Sequence, residues 1–399
     1  MSTLLLSCES EFVMYRNLLR SICFVIVLLV MFFDSVSTPA QESERAIVGA
    51  IRWDGWFANN TWAKNLEPTE YHYRLPFYTT WQDAKPIINA DKQEVMDKEI
   101  DYASGAGLDY WAFVYYYPTS WPGADSYNYG LRLYLSSEKK SRINFCLNLQ
   151  GWHLGPKDKW PETVQYFVGL FKKSTYQTVL GGRPLIYMLY IPKMIELFGG
   201  EIQAKKALDI LRNKTIEAGL KNPYMVAQVF DVNEGCYYVA NLGFDAVGAY
   251  TIFGYGAKQV YPLKKLQSSN DANQINCEFP YQSLRQVNRD FWNACREKGQ
   301  KVVPIVNSGW DWRPRLADKE AASRYSKYGQ HWFAQPRPTE LAEHLKNGIE
   351  WISKYREAAM ANALLIYAWN ENDEGGWLVP TIDEGAARLN AIRGVLRKD

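Results

Sequence analysis

The sequence predicts an α/β fold, a (β/α)8 TIM barrel in a single domain with elaborated loops after its strands. From about Ala46 onward, eight short apolar runs alternate with longer amphipathic stretches, and polar residues cluster just after the runs. Strands become unbroken apolar runs when helices cover both faces of a parallel sheet. Eight such runs over about 350 residues suit a barrel that gathers its functional residues at the carboxyl ends of its strands.

Apolar runs and 3.6-residue periodicity give the expected elements in order. We expect strands at Ile47–Arg52, Tyr110–Tyr115, Ile143–Leu149, Leu185–Tyr190, Met225–Val229, Ala246–Ala249, Val302–Val306 and Ala363–Ala368. We expect helices at Lys92–Ser104, Glu162–Lys173, Ile202–Ala218, Tyr281–Lys298, Glu340–Met360 and Glu384–Leu396. A doubly wound open sheet is the main alternative, but no glycine-rich phosphate loop follows the first strand. Without a linker or internal repeat, residues 41–399 are interpreted as one catalytic domain.

The N-terminus predicts export. Arg16 and Arg20 precede the apolar run Ile22–Phe33, and small and polar residues follow. This is the layout of a secretory signal, and the run is shorter than the about 20 residues of a membrane span. We therefore expect residues 1–40 to be a signal peptide, with Met14 as an alternative start. The protein would be periplasmic or extracellular without a stable membrane partner; an uncleaved anchor is the alternative.

Composition narrows the class of partner. The net charge of +2 gives no reason to expect nucleic acid. Aromatic residues make up 15% of the chain, with 15 Trp and 27 Tyr; many fill the core, but their flat faces also suit sugars. The histidines and cysteines have no metal-ligand spacing, so no metal or cofactor is expected. Export permits disulfides, but spacing does not decide the pairing of Cys146, Cys236, Cys277 and Cys295. The oligomeric state is left open.

Acids, amides and aromatic rings follow most of the predicted strands, and a barrel would bring them to one rim. The resulting prediction is a carbohydrate-binding site. Its candidate residues are Trp53, Asp54, Trp56, Tyr115, Tyr116, Tyr117, Trp152, His153, Asp231, Glu234, Tyr250, Trp310, Asp311, Trp312, Trp369, Asn370, Glu371, Glu374 and Trp377.

Glu371 and Glu374 are the main candidates for catalysis. Glycosidic bond cleavage commonly needs one carboxylic acid and one carboxylate. A spacing of three can turn both side chains toward one cleft, where mutual repulsion raises one pKa. Trp369 and Trp377 can supply apolar walls. The alternative is a pair of solvated loop acids, or acids that cap the next helix.

A second acidic pair, Asp231 and Glu234, has the same spacing. It can bind sugar hydroxyls, or be catalytic if the first pair is structural. The favoured interpretation is an N-capping Asp and a helix-starting Glu, because the pattern resembles a capping box. The run Tyr115–Tyr117 is expected to be half core and half rim, since successive strand side chains point opposite ways.

Asp54 and Asp311 each lie between two tryptophans. That arrangement suits a pyranose held by its hydroxyls and its apolar face together. The equally supported alternative is a salt bridge to a neighbouring arginine, Arg52, Arg313 or Arg315.

The segment Ile366–Pro380 (IYAWNENDEGGWLVP) resembles the terminal WNEWxEGxxLEP signature of WbsX-like proteins, relatives of the endo-α-mannosidases of glycoside hydrolase family 99. Three further stretches agree in order: Lys98–Tyr117, Tyr176–Tyr190 and Ser308–Arg315. Together they cover most of the chain after the leader. The resemblance implies the same barrel.

The resemblance also implies roles. The two glutamates of the family's N-E-x-x-E-G motif match Glu371 and Glu374. The first deprotonates the sugar's own 2-hydroxyl, which attacks C1 to give a 1,2-anhydro sugar; the second protonates the leaving group and then activates water, with net retention. A retaining glycoside hydrolase acting on α-linked residues is expected. Asn372-Asp373 and Val379 depart from the signature. A glycosyltransferase of polysaccharide biosynthesis and a non-catalytic carbohydrate-binding barrel are the alternatives.

Overall fold

Eight parallel strands form a barrel, which confirms the predicted fold class. The computed structural model describes residues 45–58, 60–252, 276–317 and 330–397, so the predicted signal peptide lies outside the described residues. The strands are β1 Ile47–Arg52, β2 Tyr110–Tyr115, β3 Asn144–Gln150, β4 Arg183–Leu189, β5 Tyr224–Gln228, β6 Ala246–Gly248, β7 Ile305–Asn307 and β8 Ala363–Tyr367.

The strands follow the order β7-β8-β1-β2-β3-β4-β5-β6 around the sheet. A parallel bridge between Val247 and Val302 joins β6 to the segment that leads into β7. The backbone N–H of Val303 also donates to the carbonyl of Val247 at 3.0 Å. These contacts bring the two ends of the sheet together, as a barrel requires.

Helices cover the outside of the barrel. They are α1 Gln93–Ala106, α2 Tyr129–Ser136, α3 Trp160–Phe171, α4 Ile191–Phe198, α5 Glu201–Glu217, α6 Val232–Leu242, α7 Tyr281–Glu297, α8 Pro338–Lys354 and α9 Ala387–Leu396. All six predicted helices are present. The structure adds α2, α4 and α6, and it ends α8 at Lys354 rather than at Met360. The segment Ala46–Asp399 forms one compact unit.

One position inside the barrel requires glycine. A Cβ added to Gly49 on β1 would overlap the ring of Tyr110 on β2. The Tyr110 hydroxyl lies 2.7 Å from the Tyr187 hydroxyl and donates to the carbonyl of Leu364 at 3.1 Å. The Tyr110 side chain therefore occupies the space beside Gly49 and connects β2 to β4 and β8 by hydrogen bonds.

The loops between the barrel strands and the helices carry short elements of their own. They comprise the 3-10 helices Thr61–Leu66, Thr69–Arg74, Ala124–Asn128, Lys140–Arg142, Lys157–Lys159, Arg313–Ala317 and Asn372–Glu374, and the short strands Thr79–Gln82, Lys85–Ile88, Thr178–Val179, Asn276–Phe279, Gln330–Phe333, Asn370–Glu371 and Gly376–Trp377. No helix within the described ranges is long and apolar enough to cross a membrane. The thiols of Cys146, Cys236 and Cys295 are free, whereas the side chain of Cys277 lies outside the described part.

Candidate active site

A cavity of about 700 Å³ opens where the barrel strands end. Its volume lies within the usual range of small-molecule sites. Residues that follow β1, β2, β3, β4, β5, β6, β7 and β8 all contribute to its wall. The lining residues are Trp53, Trp62, Tyr116, Trp121, Tyr127, Gln150, Trp152, His153, Leu189, Tyr190, Phe230, Asp231, Glu234, Tyr250, Thr251, Trp310, Trp312, Arg315, Glu371 and Glu374.

The chain after β8 brings Glu371 and Glu374 to this cavity. Asn370–Glu371 pairs with Gly376–Trp377 as a two-stranded antiparallel ribbon, and the 3-10 turn Asn372–Glu374 lies between the two strands. Gly375 ends the turn with φ 84°, where a Cβ would also overlap the backbone of Asp311. A glycine is therefore required directly after Glu374.

Each glutamate accepts a hydrogen bond from a buried tyrosine. The hydroxyl of Tyr250, which follows β6, donates to Glu371 Oε1. The hydroxyl of Tyr367, the last residue of β8, donates to Glu374 Oε2. Charge-assisted bonds of this kind fix the orientation of a carboxylate as well as stabilising it.

Arg315 lies between the two glutamates. Its Nη1 contacts Glu374 Oε1, and its Nη2 lies 3.6 Å from Glu371 Oε2. The guanidinium also lies over the ring of Trp62, 4.6 Å from the ring centroid. One cation therefore contacts both carboxylates in a site with little access to water.

Burial raises the pKa of Glu371 well above its usual value, and the negative charge of Glu374 adds to the shift, while Arg315 opposes it. Burial also raises the pKa of Glu374, with Arg315 as the main opposing influence. Two buried acids that repel each other do not both ionise readily. The pair is therefore suited to holding one proton between its two carboxyl groups, as acid–base chemistry requires.

Aromatic rings form the wall beside the glutamates. Trp121 lies 4.8 Å from His153 and 5.6 Å from Tyr127, measured between ring centroids. Trp53 and Trp62 meet edge to face at 5.8 Å. Their indole N–H groups donate to the hydroxyls of Tyr116 and Tyr127, each at 3.0 Å. These bonds hold the rings in place, so the wall presents a fixed apolar surface.

His153 is the imidazole of this wall. Burial lowers its pKa to about 4, so the ring is neutral at pH 7. Trp152, next to it, is 48% exposed and packs against Tyr190 with ring centroids 4.6 Å apart. The Trp152 ring is therefore open to solvent at the mouth of the cavity.

The structure brings many of the sequence-predicted residues together. Those that line the cavity are Trp53, Tyr116, Trp152, His153, Asp231, Glu234, Tyr250, Trp310, Trp312, Glu371 and Glu374. Asp231 is also the N-cap of α6, because its Oδ1 accepts from the backbone N–H of Asn233 at 2.7 Å and of Glu234 at 3.3 Å. Capping and cavity lining are thus combined in one side chain.

Asp54 and Asp311 were predicted at the rim, but the structure uses both in buried ion pairs. Arg52 Nε donates to Asp54 Oδ1 at 2.9 Å. Asp311 accepts from Arg74 and, at 2.8 Å, from Arg313 Nε. Both aspartates are 1% exposed, and neither lines the cavity. The two aspartates therefore form salt bridges to arginines, which is the alternative interpretation of their positions between tryptophans.

Four other predicted residues lie beneath the site rather than in its wall. Trp369 donates to Glu99 at 2.9 Å, and the amide of Asn370 exchanges two hydrogen bonds with the backbone of Trp53. Trp56 donates to the carbonyl of Asn370 at 2.7 Å, and Trp377 packs under the guanidinium of Arg388 at 3.7 Å. These residues support the loop that carries the glutamates.

Tyr115 and Tyr117 point away from the main cavity. Both line a separate cavity of about 370 Å³ beside α2 and α3, and the ring of Tyr115 packs on Phe167. Tyr116, between them, lines the main cavity. The alternation follows from the strand geometry that ends β2.

Several lining residues were not among the predicted site residues. Trp62, Trp121 and Tyr127 belong to long loops after β1 and β2, where periodicity gives no signal. Arg315 closes the motif SGWDWRPR, which was a usable signal. Across the part of the chain that the structure describes, no cluster of three or more His, Cys, Asp or Glu side chains could hold a metal ion.

Solved structures with the same fold support the architecture. A protein described as glycoside hydrolase-like superposes with a TM-score of 0.58 at 12% identity, covering 89% of this chain and 95% of its own. The GH99 endo-α-mannosidase from Bacteroides thetaiotaomicron superposes with a TM-score of 0.52 at 11% identity, covering 88% and 96%. At this level of identity the likeness concerns the fold.

Sequence comparison gives the family. No curated protein sequence matches the chain. The family model described as glycosyltransferase WbsX matches residues 87–392, which is more than half of the chain and includes the segment with both glutamates. The protein belongs to the WbsX family.

Proposed function

We propose that this protein is a retaining glycoside hydrolase that cleaves α-linked glycosidic bonds in a polysaccharide or complex glycan. The observation that carries the proposal is the buried Glu371/Glu374 pair beside an aromatic wall. Flat rings suit the apolar faces of sugars, and a proton-sharing acid pair suits glycosidic cleavage. The fold shared with an endo-α-mannosidase agrees with this activity. The leader sequence favours action outside the cytoplasm.

The proposed reaction uses the two glutamates in turn. When the proton shared by the pair lies on Glu374, Glu371 is a carboxylate; it takes the proton of the sugar's 2-hydroxyl, and the 2-oxygen attacks C1. The bond from C1 to the leaving oxygen breaks, and Glu374 gives that oxygen its proton. Water then attacks C1 of the 1,2-anhydro sugar and gives a proton to Glu374, while the bond from C1 to the 2-oxygen breaks and the 2-oxygen regains the proton held by Glu371. Two inversions at C1 give net retention.

Replacing each glutamate by glutamine tests the assignment. Glu371→Gln and Glu374→Gln keep the shape of the side chain but cannot exchange a proton in the same way. We expect each variant to bind the glycan substrate and to lose hydrolysis by at least about 100-fold. Glu196→Gln, an exposed glutamate on α4 that pairs with Lys193, is the matched control and should keep wild-type turnover. Unchanged hydrolysis in both active-site variants would refute the assignment.

Glycosyl transfer is the second candidate, because the matching family carries the description of a glycosyltransferase. The two activities differ in the donor they consume. Incubating the protein with nucleotide sugars and acceptor glycans, and measuring release of the nucleotide, separates them. Glutamate-dependent nucleotide release without hydrolysis of any glycan would replace the proposed function by transfer.

A further inference from the structure

Asp373 lies between the two glutamates in sequence and is fully buried. It accepts from Arg315 Nε at 2.7 Å and from Nη2 at 3.2 Å. Asn65, from the 3-10 helix Thr61–Leu66, also donates to Asp373 at 2.9 Å. Arg315 is bound to Asp373 by a bidentate hydrogen bond, and the Asn65 amide holds the Asp373 carboxylate in place. The guanidinium therefore has little freedom to rotate.

Arg315 also faces both glutamates through Nη1 and Nη2. While one edge of the guanidinium is bound to Asp373, Nη1 contacts Glu374 and Nη2 approaches Glu371. Trp62 packs on the guanidinium at 4.6 Å and Trp53 lies at 5.9 Å. The position of the cation relative to both carboxylates is therefore fixed by an anion on one side and by aromatic rings.

We infer that Arg315 and Asp373 are positioning residues that act as a fixed charge pair: Asp373 holds Arg315, Arg315 orients both glutamates, and together they determine how many protons the glutamates share. The inference rests on the proposed function, in which Glu371 and Glu374 are the catalytic residues. Asp373 occupies the variable x of the WNEWxEGxxLEP signature.

The two charges act in opposite directions. The positive charge of Arg315 favours ionised glutamates and lowers their pKa values, whereas the negative charge of Asp373 raises them. Other groups that face the pair are the hydroxyls of Tyr250, Tyr367 and Tyr116. The Arg74–Asp311 ion pair adjoins the same turn, since Arg74 also donates to the carbonyl of Asn372. Removing Arg315 or Asp373 should therefore shift the titration of the glutamates in opposite senses.

The test is the pH dependence of kcat/KM for hydrolysis in Arg315→Gln, Asp373→Asn and the double variant. A shared proton gives a bell-shaped profile whose two limbs belong to the pair. We expect Arg315→Gln to move both limbs up by about 1 pH unit and Asp373→Asn to move both down by about as much. The double variant should lie nearer to wild type than either single variant. Limbs that stay in place, or that move the same way in both variants, would overturn the inference.

Two further variants separate charge from structure. Arg315→Lys keeps the positive charge but loses the bidentate geometry of the guanidinium. We therefore expect the limbs of its kcat/KM profile to stay close to those of wild type while kcat falls. Arg313→Gln, two residues away, removes a cation that bonds Asp311 outside the cavity, and its profile should match wild type. Thermal unfolding of each variant confirms folding. A profile for Arg315→Lys that shifts like that of Arg315→Gln would contradict a charge effect.

A titration without substrate distinguishes this inference from the proposed function. Carbon-13 NMR of glutamate carboxyl groups, assigned with the Glu371→Gln and Glu374→Gln variants, reports their protonation directly. Opposite shifts in Arg315→Gln and Asp373→Asn without any hydrolysis would support the charge pair and reject the hydrolase. Glutamate-dependent hydrolysis with unshifted titrations would reject the charge pair and leave the hydrolase in place.

Discussion

At the scale of single residues, the site depends on partners from distant parts of the chain. Sequence pattern and resemblance identified Glu371 and Glu374 as the catalytic candidates. They did not identify what contacts them, because Tyr250 and Arg315 reach the pair from the loops after β6 and β7. Asp54 and Asp311 illustrate the same limit: a position between two tryptophans resembles a sugar site until the arginines that bind both aspartates are located.

The tyrosine donors give a prediction at this scale. Tyr250→Phe and Tyr367→Phe each remove a hydroxyl that donates to a buried glutamate. Because that bond lowers the pKa of its glutamate, we expect the acid limb of kcat/KM to move up by about 1 pH unit in Tyr250→Phe, where the base Glu371 is affected, and the alkaline limb to move up by about as much in Tyr367→Phe, where the acid Glu374 is affected. The measurement is a pH profile of hydrolysis. Tyr237→Phe, whose hydroxyl bonds Glu201 on the surface, is the control. A downward shift of the acid limb in Tyr250→Phe, or of the alkaline limb in Tyr367→Phe, would contradict the donor role.

The aromatic wall gives a second prediction. Trp121→Ala removes a ring that contacts Tyr116, Tyr127 and His153. We expect glycan binding to weaken by about 1 to 3 kcal/mol, the size of a buried aromatic contribution, with a smaller effect on kcat. Calorimetry with the Glu374→Gln variant as background measures binding alone. Unaltered affinity would show that the ring does not contact the glycan.

At the scale of elements, the strands and long helices were predictable and the short elements were not. Strands β1 and β2 match the predicted bounds, because both faces are buried and the sequence is apolar apart from Arg52 at the end of β1. Helices α2 and α4 have 8 residues each, which is too short for a clear helical period. The turn that carries Glu374 is a 3-10 helix, whose position depends on the ribbon around it.

A buried histidine links α7 and α8 and gives a prediction about stability. The hydroxyl of Tyr281 on α7 donates to the carbonyl of Asn307 at 2.7 Å, so it accepts from His344 Nδ1 on α8 at 2.9 Å. In the neutral ring Nε2 then carries no proton, and it has no partner among the described residues. Burial, with help from the charge of Arg285, lowers the pKa of His344 to about 3.

The direction in which stability changes with pH follows from proton binding at His344. Between the unfolded pKa of 6.5 and about 3, the unfolded state binds a proton at His344 that the folded state does not. The stabilisation is complete above pH 6.5 and is lost as the pH falls. His344→Gln should reduce the slope of the unfolding free energy by up to about 1.4 kcal/mol per pH unit below pH 6. Urea unfolding from pH 7 to pH 4.5 measures the slope; equal slopes for both proteins would contradict this account.

At the scale of the whole molecule, the barrel determines where function can lie. The alternation of apolar runs and helices was sufficient to predict eight parallel strands, and the polar residues after them indicated the correct end. The aromatic wall could not be predicted in the same way. Trp62, Trp121 and Tyr127 come from irregular loops, and only closure of the barrel brings those loops together.

Closure of the barrel also predicts that replacing Gly49 destabilises the fold. Gly49→Ala places a Cβ in the ring of Tyr110, which bonds β4 and β8. We expect the unfolding free energy to fall by about 1 to 3 kcal/mol, as in other overpacked cores. Gly105→Ala, inside α1 with no other described atom within 4 Å of the new Cβ, is the control and should be stabilised by up to about 1 kcal/mol. Denaturant unfolding compares the two; equal stability of both variants would contradict the role of Gly49.

In the proposed reaction, Glu371 and Glu374 hydrolyse an α-glycosidic bond with retention. Proton NMR of the anomeric position in the first product, recorded during hydrolysis of defined α-linked glycans, tests it most directly. We expect the α-anomer to form first and then to equilibrate, and Glu371→Gln and Glu374→Gln to abolish its formation. A first product of inverted configuration would contradict the 1,2-anhydro sugar route and the roles assigned to the two glutamates.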